Sequence, residues 1–169
     1  GCNPIFYQQQ TPEKLAAVKH KYNLKNDFLL CVGSIENRKN QLLIVKALKY
    51  LPKNIEVVLV GKATPYQQQI IEFTKENNLD SRVHILNEVG FDDLPAVYQL
   101  AKIFVYPSEF EGFGIPILEA LNSGVPVIAA KGSCLEEAGG PDSIYINQND
   151  AKQLANAALE ILNNVDLKQ

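Results

Sequence analysis

Apolar runs of four to seven residues recur along the chain and alternate with stretches of helical spacing. The runs Phe28–Gly33, Ile55–Gly61, Arg82–Leu86, Ile103–Tyr106, Pro126–Ala130 and Ser143–Ile146 are nearly continuous rather than alternating, the pattern of strands covered on both faces. Helical signals lie between them. Thr11–Pro12 and Thr64–Pro65 each set a capping residue before a proline at the first helical position. Asn40 is placed to cap a helix carrying Leu43, Ala47 and Leu51, and Asp92 to cap a short one through Val97 and Tyr98. Asp150 with Gln153 resembles a capping box ahead of a helix whose Leu154, Ala155, Ala158, Leu159 and Leu162 share one apolar face. Six strands alternating with helices imply right-handed crossovers and a doubly wound parallel α/β sheet. This domain is expected to span residues 11–162. Gly1–Gln10 reads as a linker rather than core, and Asn163–Gln169 as a fraying tail.

In such a sheet, ligands bind beyond the carboxyl ends of the strands where strand order reverses, between the first and fourth strands in the commonest six-strand order. The two most distinctive loops follow those two strands. One is Gly33-Ser34-Ile35-Glu36-Asn37-Arg38-Lys39-Asn40; the other runs from Pro107 through Glu111-Gly112-Phe113-Gly114-Ile115 into a helix carrying Glu119. A basic pair and a glycine turn are thereby expected to face each other across one crevice.

The residue types define a chemistry for that crevice. Gly112 and Gly114 let the backbone turn tightly and approach a ligand. The amides of Phe113, Gly114 and Ile115, ahead of a helix with Pro116 near its start, can receive phosphate oxygens. Arg38 and Lys39 add positive charge on the facing wall. Glu111 and Glu119 are acceptors suited to hydroxyls of a sugar or ribose. Each feature alone has a plainer reading: Arg38–Lys39 as a solvated loop, Glu119 as a residue of a first helical turn favoured by the helix dipole, Glu136 and Glu137 as a solvated helix start, Tyr98 as core. Their convergence on one sheet edge favours a phosphorylated polyol as ligand, a sugar nucleotide or sugar phosphate.

Composition narrows the classes. Of 169 residues, 46% are hydrophobic and 21% charged, the balance of a globular domain. A formal charge of −3 argues against nucleic acid, which calls for a basic face. No apolar run is long enough to span a membrane. Cys2, Cys31 and Cys134 form no C-x-x-C pair and read as reduced, packed thiols of a cytosolic protein. His20 and His84 are the two histidines, with no cysteine or carboxylate cluster to complete a metal site. Met is absent, even at position 1, as expected of a segment of a longer chain.

Glu111-Gly-Phe-Gly-Ile-Pro-Ile-Leu-Glu119 resembles the E-x7-E signature of retaining glycosyltransferase family 4. Val32-Gly33 with Lys39-Asn40, Leu59-Val60-Gly61, Val105-Tyr106-Pro107-Ser108, Glu119-Ala120-Leu121 and Gly124-Val125-Pro126-Val127-Ile128 are similar to that family too, so the resemblance covers nearly the whole chain. It implies the C-terminal, donor-binding Rossmann-like half of a GT-B enzyme, with Gly1–Phe6 as interdomain linker and the acceptor domain outside this chain. By the same resemblance, Glu111 contacts the donor sugar, Gly112–Gly114 its hydroxyls, amides near Ile115 the diphosphate, and Glu119 the ribose. Lys39 holds the diphosphate with Arg38 beside it, Gly33 and Ser34 border it, and Asn87–Val89 frame the base. Many relatives carry Arg where this chain has Ser34; Arg38 is the candidate replacement.

What the resemblance implies is transfer, with retention, from a UDP-sugar or GDP-sugar to a glycan or lipid-linked acceptor. The loop after the first strand resembles enzymes of bacterial surface polysaccharide synthesis, mannosyltransferases among them. No D-x-D motif is present, so no metal is expected; the whole protein is expected to be cytoplasmic, reaching the membrane only through the other domain or a lipid-linked acceptor. A binding-only sugar-nucleotide module and a GT-B epimerase are the alternatives. A glycosidase would make little use of a phosphate-receiving turn between its carboxylates. The first loop is not G-x-G-x-x-G and the second strand ends Gly61-Lys62 with no acidic residue, which disfavours a nicotinamide dehydrogenase. The missing G-x4-G-K-[ST] excludes a phosphate-loop NTPase.

Overall fold

The structure, a computed structural model, describes residues 3–108, 115–131 and 143–167. The expectations for Glu111, Gly112, Phe113, Gly114, Cys2, Cys134, Glu136 and Glu137 fall outside the described residues. The described strands are β1 (Phe28–Val32), β2 (Glu56–Val60), β3 (Val83–Leu86), β4 (Ile103–Tyr106), β5 (Val127–Ala130) and β6 (Ile144–Ile146). They form one sheet of order β3-β2-β1-β4-β5-β6, parallel throughout. Every strand lies within its sequence-predicted run. β2, β4 and β5 are buried along their whole length and β1 over all but Val32, whereas β3, at the sheet edge, is only half-buried. Strand order reverses between β1 and β4.

Helices α1 (Pro12–Lys21), α2 (Gln41–Ala47), α3 (Gln67–Glu76), α4 (Leu94–Leu100), α5 (Ile115–Asn122) and α6 (Ala151–Leu167) cover the sheet. α2 packs against α3 and α6; α1 packs against α4, and α4 against α5. Right-handed crossovers that run outward from β1 in opposite directions put these two groups on opposite faces. Isoleucine, valine and leucine of the central strands meet them in one core, with Tyr98, Phe104 and Tyr106 its largest aromatic members along with Phe6.

The local signals were only partly right about caps. Thr11 does cap α1, accepting the Lys14 N–H at 3.1 Å. Thr64 does not cap α3: its hydroxyl donates to the Ile35 carbonyl, and a turn over Pro65 and Tyr66 precedes the helix. Asn40 adopts a left-handed conformation (φ 61°) and makes no side-chain cap. The N–H of Leu42 is instead satisfied by the Tyr66 hydroxyl at 2.9 Å. Asp93, not Asp92, immediately precedes α4, and its carboxylate binds α1 rather than capping. Asp150 accepts the Gln153 N–H at 2.9 Å, but Gln153 returns its side chain to Asn147 N–H at 2.6 Å, so half of the box forms.

Two boundary expectations also change. The segment read as linker is packed: Pro4–Tyr7 form a 3-10 turn, and Phe6 is fully buried against Tyr98, ring centroids 5.5 Å apart. The segment read as a fraying tail continues α6 through Leu167.

Candidate functional site

β1 delivers the chain to Gly33 at the carboxyl edge of the sheet. Gly33 N–H donates to Val60 C=O at 2.8 Å and Ile35 N–H to Lys62 C=O at 2.9 Å, which draws the loops after β1 and β2 together. A Cβ on Gly61 would stand 1.9 Å from the Gly33 carbonyl oxygen, so only glycine permits this approach. Gln41 donates to the Ser34 carbonyl at 2.9 Å, fixing the backbone where many relatives are expected to carry arginine.

A 3-10 turn, Asn37–Lys39, then sends the two basic side chains in different directions. Lys39 is 7% exposed. Its ammonium donates to the Tyr106 hydroxyl at 2.8 Å, so a hydrogen bond offsets part of the burial cost. Arg38 points outward, with more than half of its side chain exposed and its guanidinium 3.3 Å from Glu36. Tyr106 is the last residue of β4. Just beyond it, Ser108 donates to the Arg38 carbonyl at 3.3 Å, and Asn40 donates to the Gln148 carbonyl at 2.6 Å and the Pro107 carbonyl at 3.4 Å. The loops after β1, β4 and β6 are thus stitched together at the switch point.

Ile115, 41% exposed, opens α5. Glu119 sits one turn farther along, in the second turn rather than the expected first, and is half-buried. The Tyr98 hydroxyl, from α4, donates to its Oε1 at 2.9 Å. Burial pushes the Glu119 carboxyl above its ordinary value and the phenol hydrogen bond pulls it back. Burial and the neighbouring carboxylate push the Tyr98 phenol well up, so it remains a donor. Tyr98 is therefore core, as expected, but with a polar end turned to a candidate ligand-binding carboxylate.

Asn87 follows β3, with β2 between it and β1. Its amide donates to the Gly61 carbonyl and to Gln67 Oε1, both at 2.8 Å. Val89 is half-buried in the loop before α4, where Gly90 N–H donates to the Tyr22 hydroxyl at 3.4 Å. The structure brings Gly33, Ser34, Arg38 and Lys39 together with the end of β4, and sets Asn87 and Val89 farther along the same edge. Sequence reasoning had no role for Tyr106 or Tyr98 as hydrogen-bond partners. The available signal was a tyrosine in an otherwise apolar run, since a buried phenol seeks a partner for its hydroxyl.

A sheet of this strand order, with a buried ammonium, an exposed guanidinium and fixed loops at its switch point, defines a Rossmann-like α/β domain. The family model described as "Glycosyl transferases group 1" matches residues 13–169, and the chain belongs to that family. It is 30% identical to O-antigen chain mannosyltransferase B of Escherichia coli over 161 residues, 92% of this chain and 42% of the relative. It is 34% identical to the serotype-specific mannosyltransferase WbdA of E. coli over 149 residues, 84% of this chain and 18% of the relative. The chain thus spans less than half the length of these curated relatives. Among solved structures, Anabaena Alr3699/HepE in complex with UDP and glucose shares the fold with a TM-score of 0.87 at 22% identity, covering 98% of this chain and 47% of that one. The C-terminal domain of the group 1 protein LpcC from Francisella tularensis shares it with a TM-score of 0.82 at 21% identity, covering 99% of this chain and 90% of that one.

Proposed function

We propose that this chain is the donor-binding half of a retaining glycosyltransferase, which holds a nucleoside diphosphate sugar at the β1–β4 switch point. The observation that carries the reading is Lys39, buried against Tyr106 of β4 and held with its ammonium at the carboxyl edge of the sheet. In a same-face displacement that retains the anomeric configuration, the sugar–phosphate bond breaks as the acceptor oxygen bonds the anomeric carbon and passes its proton to the departing diphosphate oxygen. Negative charge then grows on the leaving diphosphate. Preorganised cations and amides aimed at that charge lower the barrier. In this reading Lys39, Arg38 and the amides near Ile115 supply them without a metal, with Gly33 and Ser34 bordering the diphosphate. Glu119 holds the ribose, Glu111 and the Gly112–Gly114 backbone meet the sugar, and Asn87–Val89 frame the base.

The mannosyltransferase names among the relatives support a mannosyl donor and a role in surface polysaccharide synthesis. One relative, from Mycobacterium tuberculosis, is named as GDP-mannose-dependent, whereas HepE is described with UDP-glucose. Acceptor recognition belongs, in this proposal, to a domain outside residues 11–162. No described helix is long and apolar enough to cross a membrane. Calorimetric titration of this chain with UDP and with GDP tests the reading. Binding of one or both at millimolar ligand, without sugar transfer by the isolated chain, is expected; binding of neither overturns it.

A further inference from the structure

We propose that Tyr98 is a positioning residue that orients Glu119 for a ribose, held in place by a turn from outside the α/β repeat. The inference deepens the donor-site reading and rests on it.

Tyr98 is completely buried. Phe6 meets it edge-on with ring centroids 5.5 Å apart, and Phe104 of β4 packs against it at 5.5 Å with the planes tilted by 49°. A ring enclosed on two sides keeps its hydroxyl in one place, and that hydroxyl donates to Glu119 Oε1 at 2.9 Å. A longer contact, 3.4 Å to the Pro116 carbonyl, ties the same hydroxyl to the first turn of α5. The 3-10 turn carrying Phe6 also packs on α5. No described residue donates to Glu119 Oε2, which stays available to accept from a diol. Partial burial shifts a carboxylate toward its neutral form, which would donate a proton where the diol needs an acceptor. The phenol hydrogen bond favours the ionised form, and it fixes which oxygen faces outward.

The test compares UDP and GDP with their 2′,3′-dideoxy counterparts and with inorganic pyrophosphate, on wild type and Tyr98→Phe, by calorimetry. Wild type is expected to prefer the ribose-bearing ligand by roughly tenfold or more, the scale of a hydrogen bond to a charged group. Tyr98→Phe is expected to lose most of that preference while keeping pyrophosphate affinity within about twofold. In a Glu119→Ala background, Tyr98→Phe should change the preference no further. If Tyr98→Phe fails to fold, Phe6→Leu, which loosens the packing that holds the Tyr98 ring and leaves both phenol and carboxylate in place, should show the same selective loss in smaller measure. An unchanged ribose preference, or an equal loss for pyrophosphate, overturns the assignment while leaving the donor site intact. A wild type that binds neither nucleotide overturns the donor-site reading itself.

Discussion

Arg38 and Lys39 are neighbours in sequence with opposite fates. Lys39 turns inward onto Tyr106, and Arg38 stays in solvent beside Glu36. A cation in a water-poor setting acts on a ligand with little screening, whereas an exposed one acts through high-dielectric water and is largely screened beyond about 8–10 Å. In the full-length enzyme, Lys39→Ala is expected to lower turnover by roughly 10²-fold or more, and Arg38→Ala by less than about tenfold. Steady-state kinetics with the identified donor would check this, and equal effects would contradict the division of labour. The pair itself was visible in the sequence. Its splitting was not, because the direction of each side chain is set by the three-residue 3-10 turn and by a tyrosine 67 positions away.

Between elements, one polar joint gathers three donors at Asp93. Lys14 and Lys21 of α1 each donate to it at 2.8 Å, and the Tyr22 hydroxyl at 2.7 Å. These three donors hold the Asp93 carboxyl well below the ordinary carboxylate range. A depressed folded-state value means that the stabilisation is fully present above the ordinary range near pH 3.9 and fades as pH falls through the depressed value. Asp93→Asn is therefore expected to cost about 1–3 kcal/mol at neutral pH and to flatten the acid limb of the stability curve below about pH 4. Denaturant titrations of both proteins from pH 7 downward would show it; parallel acid limbs would contradict it. The sequence suggested Asp92 as a cap here and left Asp93 unassigned. Cap propensity is local, while the donors that capture Asp93 come from a helix more than 70 residues earlier. Asn40 and Thr64 show the same diversion of polar side chains from local capping to loops brought close by the fold.

Across the whole molecule, residues 3–8 belong to the folded body. Phe6, on the 3-10 turn, is fully excluded from solvent against Tyr98, and Gln99 reaches back to the Gln8 carbonyl at 2.8 Å. Phe6→Ala is expected to destabilise the chain by about 3 kcal/mol, the usual cost of removing a core aromatic ring. Chemical denaturation would measure it, and a loss below about 0.5 kcal/mol would restore the reading of this segment as a loose linker. Ile5-Phe6-Tyr7 is an apolar triplet too short to show a period, so its local pattern did not separate a packed turn from a linker.

The sequence by itself determined six strands, the burial of the central ones, the helices between them and the point where strand order reverses. Run length, apolar continuity and strand–helix alternation are local properties, and crossover handedness converts them into topology. Tertiary structure alone decided which polar atoms meet: Lys39 with Tyr106, Asn40 with Gln148, Asp93 with α1, Tyr98 with Glu119. Each pairing joins groups at least 21 residues apart, and a buried polar atom takes whichever partner the packed core places within reach.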